Sequence, residues 1–335
     1  MRRALAIGLF AVLSTLGIRV AGSAPRPDCD RACLTGFLDR YVAALLAHDP
    51  GRLPVARDIR FTENLVPLRF GSQGLWATVN GRRDFNLYAV DPQRGDAVWI
   101  GILKENDKPV MVAIRLKILG DRITESETLV GRSGLTAADQ VAGPRLEFSQ
   151  PIPAAAQATR EQLIAIANSN WDAMEQGNGR LAPYAVDCER YDNGRKTTQG
   201  PSPPPLPGTP PAGGDVASAA DHDVGELGCF GQMDSGRFRN GSRVQPRRIW
   251  AVDRQYGLVV GLFTPNVPGT VRTLHLRNGK TLTVGPDELI PFTIEQVEMF
   301  RIVNGQISKV EVVLGPRVPY GMRSPFDMKS LWEPR

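Results

Sequence analysis

Apolar residues recur with helical spacing at two places in the chain. Leu34, Phe37, Leu38, Tyr41, Val42, Leu45 and Leu46 fall at i, i+3, i+4 and i+7 and share one face of a predicted helix. Leu163, Ile164, Ala167, Asn170, Trp171 and Met174 repeat the pattern. Both helices are predicted to stop at polar, glycine-containing turns, residues 48–53 and 176–181, and both turns end in Gly-Arg-Leu.

The segments after the two helices also match in order. Ile59-Arg60-Phe61-Thr62-Glu63-Asn64 and Cys188-Glu189-Arg190-Tyr191-Asp192-Asn193 each close on an acid and then Asn. Leu87-Tyr88-Ala89-Val90-Asp91 and Ile249-Trp250-Ala251-Val252-Asp253 lead into apolar strands at 97–103 and 257–263, which makes Trp250 the expected counterpart of Tyr88. Two hairpins come next, one turning at Gly120-Asp121 and one at Asn304-Gly305, and their last strands align Glu127 with Glu311. Five matches in one order predict a duplication. The expected layout is a module at 29–132, a linker at 133–158, a second module at 159–315 and a tail at 316–335. A Pro/Gly-rich insertion at 200–225 stands where the first copy has the shorter 70–81 connection, and its composition predicts a loop with little capacity to pack.

Residues 1–23 read differently. Arg2 and Arg3 precede an uncharged apolar run from Ala4 to Ile18, which ends in Ala21-Gly22-Ser23-Ala24. This predicts a signal peptide cleaved after Ser23, an uncleaved anchor being the alternative. Cleavage removes three arginines and no acid, so the formal charge falls from +5 to +2. Charges of both signs are interspersed, which argues against a nucleic-acid partner, and no membrane association is expected after cleavage. The mature chain is expected in the periplasm or outside the cell.

Four cysteines in an exported chain favour disulfides, with three connectivities open. Cys188 and Cys229 flank the Pro-rich insertion, so a bridge there closes a long loop, leaving Cys29 to pair with Cys33. Only His48, His222 and His275 are available to complete a metal site, and none has ligand spacing from a cysteine pair, so no metal is expected.

The first copy carries Cys29-Asp30-Arg31-Ala32-Cys33-Leu34, Glu63-Asn64, Gly74-Leu75-Trp76-Ala77-Thr78 and Arg115-Leu116-Lys117 leading to Ile123-Thr124-Glu125-Ser126-Glu127. These residues resemble a secreted SnoaL-like group known only as a domain of unknown function, within the NTF2-like superfamily. The resemblance implies an α+β fold of two tandem cone-shaped modules, each with helices packed on a curved antiparallel sheet. It also implies an apolar pocket between helix and concave sheet. Activity is another matter, since this scaffold hosts isomerases, cyclases, lyases and plain binding modules.

Within such a pocket Glu127 is the candidate base, because a carboxylate in apolar surroundings has its pKa raised and can then exchange a proton with a carbon acid. A solvent-facing strand acid fits the same pattern. Glu63 and Asn64 are its candidate catalytic partners, with Asp192 and Glu311 as counterparts in the second copy. Turn chemistry explains the Asx residues equally well. Tyr88, Trp76 and Arg115 are candidate substrate-binding residues, Trp76 either as a lid or packed on the other copy. Asp221-His222-Asp223 has the residue types of a metal or dyad site but no further ligands nearby.

The expected function is a cofactor-free isomerase, cyclase or lyase acting on a small apolar or aromatic molecule. A non-catalytic binding or scaffold protein is the alternative, and docking through the Pro-rich loop a third reading. A monomer is expected, its two modules pairing through their sheets within one chain.

Overall fold

The structure is a computed structural model that describes residues 29–132, 137–141, 143–198 and 224–328. The predicted signal peptide, most of the Pro-rich insertion, Asp221-His222-Asp223 and the last seven residues of the tail lie outside the described residues.

The first half opens with helix α1, Arg31–Leu46. Asp30 caps it by accepting from the Cys33 amide at 2.9 Å, and the Cys29–Cys33 disulfide spans the same turn. After it come strands β1 (Val55–Glu63) and β2 (Val66–Pro67), a single helical turn α2 (Leu75–Thr78), and strands β3 (Val79–Asp91), β4 (Asp96–Glu105), β5 (Lys108–Leu119) and β6 (Arg122–Gly131). They form one six-stranded sheet, β2-β1-β6-β5-β4-β3, in which β1 runs parallel to β6 and the other pairs are antiparallel.

The second half opens with α3, Arg160–Gln176, which carries a capping box between Thr159 and Gln162 and ends on Gly177 in the left-handed region. Strands β7 (Tyr184–Asp192) and β8 (Arg195–Lys196) come next, then helix α4 (Cys229–Asp234), then β9 (Arg243–Asp253) and β10 (Leu258–Val267). A small hairpin, β11 (Thr273–His275) with β12 (Thr281–Thr283), precedes β13 (Phe292–Val303) and β14 (Gln306–Pro319). The second six-stranded sheet has the order β8-β7-β14-β13-β10-β9, again with its first long strand parallel to its last. The Cys188–Cys229 disulfide ties β7 to α4.

The fold is thus α+β, with two six-stranded sheets of matching strand order. Each sheet packs one face on its own helix: Leu34, Leu38 and Val42 of α1 meet Val112, Ile114 and Leu116, while Leu163, Ala167 and Trp171 of α3 meet Phe263, Phe300 and Val312. The opposite faces pack on each other through Ile100, Ala113 and Leu129 from one sheet and Val260, Met299 and Val313 from the other. The layers therefore run helix, sheet, sheet, helix. Burial of each large apolar side chain contributes about 1.5–3 kcal/mol, and every strand of the two sheet centres is buried on both faces.

Two expectations change, and one element is added. The 70–81 connection holds the α2 turn and the start of β3. The 267–292 stretch carries the β11–β12 hairpin with its own apolar cluster of Leu274, Leu276, Leu282 and Val284, an element with no counterpart in the first half. Trp250 does not occupy the place of Tyr88: a bulge in β9 lies between Ala251, paired with Val260, and Ile249, paired with Gly261. That extra residue turns Trp250 into the core between the sheets, whereas Tyr88 packs on the α1 side.

Candidate functional site

Strand alternation decides where the predicted residues point. On β6, Ser126 faces the α1 side, where its hydroxyl lies 2.7 Å from the Tyr41 hydroxyl, so Glu125, Glu127 and Leu129 face the other sheet. Glu127 is buried in that inter-sheet layer and not beneath the helix. It pairs with Arg248 of β9 and lies 3.9 Å from Arg115, and Ser324 donates to it at 2.6 Å. Arg115 in turn bonds Asp96 at 2.7 Å and Glu125 at 2.8 Å. Phe326 covers this network, its ring lying under the guanidinium groups of Arg60, Arg115 and Arg248. The expected apolar pocket around Glu127 is therefore an ion-paired seam between the halves, which the tail residues Ser324 and Phe326 close. Glu311 lies on the matching face of β14 and is held by Arg145 at 2.6 Å; burial pushes its carboxyl up to about 7.

The Asn residues have a backbone task. Asn64 and Asn193 both sit at positive φ, 47° and 46°. Asn64 accepts from the Val130 amide at 2.8 Å and donates to the Val130 carbonyl at 3.3 Å, while Asn193 makes the same pair of bonds with Leu314 at 2.8 and 3.1 Å. Each amide stands in for a ladder partner where β1 or β7 ends, so neither is available to an enolate oxygen. Glu63 accepts from Leu75 N at 2.6 Å and pairs with Arg132 at 2.6 Å, anchoring the turn before α2. Asp192 pairs with Arg190 at 3.0 Å.

Trp76, expected as a lid or at the other copy, lies in the core beneath α1, where it donates to the Tyr41 hydroxyl at 3.2 Å. Burial pushes that phenol up to about 12. Tyr88 donates to Asp39 at 2.7 Å on the outer side of α1. The sequence-predicted residues thus divide among three places and do not converge on one pocket.

A different set does converge. Beneath α3, Glu298 of β13 accepts from Trp171 Nε1 at 2.6 Å and Asn170 Nδ2 at 3.3 Å, and Arg190 of β7 donates to its other oxygen at 2.6 Å. Tyr184 donates to Asn170 Oδ1 at 2.9 Å. Burial raises the Glu298 carboxyl above its ordinary value, against the pull of Arg190. The local sequence permits this because Gly261 pairs with Glu298 across β10 and β13, and a Cβ at Gly261 would fall 2.4 Å from the Trp171 ring. The indole therefore lies flat on the sheet and reaches the carboxylate. At the same register in the first sheet, Ile114 is paired with Trp99, which fills its own space.

The two Asn clamps set the correspondence between sheets, since Thr128 receives the Asn64 amide as Val312 receives that of Asn193. Ile114 pairs with Thr128 and Glu298 with Val312; Phe61 pairs with Ser126 and Arg190 with Val310. Glu298 and Arg190 therefore occupy the places of Ile114 and Phe61. Sequence reading missed them, although an acid in phase with Phe300 and Ile302 on an apolar strand was the available signal. Among the described residues no three His, Cys, Asp or Glu side chains gather to hold a metal ion, and no helix is long and apolar enough to cross a membrane.

Residues 156–314, which include every member of this set, match a family model described as Domain of unknown function (DUF8021). No curated protein sequence matches the chain. Solved structures similar to part of it include AclR from Streptomyces galilaeus (13% identity, 53% of this chain and 89% of that one, TM-score 0.27). A cystatin-like protein of unknown function from Methylobium petroleophilum PM1 aligns at 10% identity over 49% of this chain and 83% of that one, TM-score 0.26. AusH from Aspergillus nidulans aligns at 14% identity over 47% and 85%, TM-score 0.25. At these scores the likenesses carry no argument.

Proposed function

We propose that the chain is an exported, small-molecule-active protein made of two NTF2-like modules, 29–132 and 159–315, descended from one duplicated unit. Its working site is the polar interior of the second module. One observation carries this reading: a buried Glu298–Arg190 pair stands where the first sheet has Ile114 and Phe61. The first sheet reaches the same strand order without a charge there, so the fold does not require the pair. Removing two charges from water costs several kcal/mol per ion before mutual attraction is counted.

The chemistry comes from the surroundings. Burial favours the protonated form of Glu298 and Arg190 the anion, so the carboxyl is held between two opposed influences, as a group that gives and takes a proton requires. Arg190 stabilises the anion when the proton leaves, and Asn170 and Trp171 hold the carboxyl in one orientation. Trp171, Phe263 and Phe300 supply aromatic walls. This set suits a small, largely apolar or aromatic molecule with one carbonyl or hydroxyl group, and a cofactor-free isomerisation, cyclisation or elimination. Export to the periplasm or cell exterior, after cleavage behind Ser23, agrees with the two disulfides.

A non-catalytic binding protein is the second reading, favoured because both oxygens of Glu298 already accept hydrogen bonds. Mass spectrometry of small molecules retained by purified wild type, Glu298→Gln and the double variant Glu298→Ile/Arg190→Phe separates these readings. Retention by wild type and Glu298→Gln, with conversion only by wild type, is the expected result. Retention without conversion by either protein supports the binding reading. Equal retention by all three proteins places the ligand elsewhere and ends both.

A further inference from the structure

A second site lies at the junction of the halves, away from the interior of either. Arg31, the first residue of α1, pairs with Asp253 at the end of β9, and Arg160, the first residue of α3, bonds Asp91 at the end of β3 at 2.6 Å. The arrangement is reciprocal down to the main chain: Asp253 accepts from Val90 N at 3.1 Å and Asp91 from Val252 N at 3.3 Å. Between the two pairs is a cavity of about 270 Å³, whose lining also includes Gln93, Gln255 and Arg254.

We infer that this cavity binds a small oxyanion, held between the Arg31 and Arg160 guanidinium groups with Arg254 at its rim. Exposure sets the sign of the site. The Asp253 and Asp91 side chains are 4% and 1% exposed, whereas those of Arg31 and Arg160 are 25% and 18% exposed, so of these four charged groups the arginines are the ones that reach solvent. Each aspartate is bonded by one nitrogen of its arginine, which leaves the rest of a planar five-donor fork for a ligand. Among the described residues Arg254 donates from its Nε to the Ala158 carbonyl at 3.0 Å. Such forks match carboxylate, phosphate and sulfate oxygens in a bidentate fashion. The volume falls just below the roughly 300–1,000 Å³ of drug-sized ligand pockets, which sets the ligand as an inorganic oxyanion or a short dicarboxylate.

The experiment is titration calorimetry of the full chain with phosphate, sulfate and succinate, each at low ionic strength against matched chloride. The expected result is saturable binding of at least one, with the succinate arm separating a dicarboxylate site from an inorganic one. Arg160→Lys keeps the charge next to Asp91 but loses the fork, and Arg254→Gln alters an exposed residue, so both variants fold; each lowers affinity tenfold or more. Absence of saturable binding for all three anions, or affinity unchanged in both variants, overturns the inference.

Discussion

The interiors beneath α1 and α3 are built on matching strands and differ in polarity. Under α1 the centre holds neutral hydroxyls and an indole, Tyr41, Ser126 and Trp76, beside the strand positions Phe61 and Ile114, and the buried Glu63 is paired with Arg132 at the end of β1. Under α3 the corresponding strand positions are Arg190 and Glu298, and the helix contributes Asn170 and Trp171. The large indole has also changed sides: Trp99 comes from the sheet in the first half, while Trp171 comes from the helix in the second and lies over Gly261. One strand order thus tolerates either interior. The charged one is a local choice and not a demand of the architecture, which is why it points to chemistry.

The largest test of that comparison is to break the pair on one side only. Glu298→Ala leaves Arg190 buried without its carboxylate, and should cost about 3–5 kcal/mol in urea unfolding. Glu298→Ile/Arg190→Phe imports the first half's residues and should recover most of that loss. A double variant as unstable as the single one would show that the interior of the second half depends on the charges. Next are the disulfides, which close loops of different length in the two halves. Replacing Cys188 and Cys229, 41 residues apart, by Ser should cost about 4 kcal/mol in the loop-entropy account, against about 2 kcal/mol for the short Cys29–Cys33 loop.

A smaller effect is expected at Gly261. Ala there drives a Cβ into the Trp171 ring, so about 1–3 kcal/mol should be lost, with a shift in indole fluorescence as Nε1 leaves Glu298. Unchanged fluorescence would show that the indole does not rest on the sheet at that point. The last test is a slope with pH and concerns Glu295, which stands between the sheets with one oxygen lacking a hydrogen-bond partner among the described residues and whose carboxyl burial pushes up to about 8. The folded state then holds a proton that the unfolded chain releases near its ordinary value of 4.5, so stability falls as pH rises from about 5 to 8, by at most about 1.4 kcal/mol per pH unit. Glu295→Met, which copies Met111 at the same register of the first sheet, should flatten that slope in unfolding midpoints measured across the range.

Much of the frame was legible in the residues. Helical spacing marked α1 and α3, turn residues marked both closing hairpins, and the acid-Asn pairs at Glu63-Asn64 and Asp192-Asn193 proved to end matching strands, though as backbone clamps. The site was less so. Alternation placed Glu125 and Glu127 together but could not say which side of the sheet meets the helix, and a single bulge at Trp250 reversed the face expected from Tyr88. Glu298 went unnoticed because its neighbours Val297, Met299 and Phe300 read simply as a buried strand.

Sequence by itself determined the local elements, their order and the cysteine partners near in the chain or flanking one loop, because caps, turns and apolar periods act over a few residues. Tertiary structure alone decided that Glu127 joins the seam between sheets and that Ser324 and Phe326 close it. It also brought Arg31 to Asp253 and Glu298 to Arg190. Those encounters join residues about 100 to 220 positions apart, and they depend on which faces bury together, a property of whole sheets that no local pattern encodes.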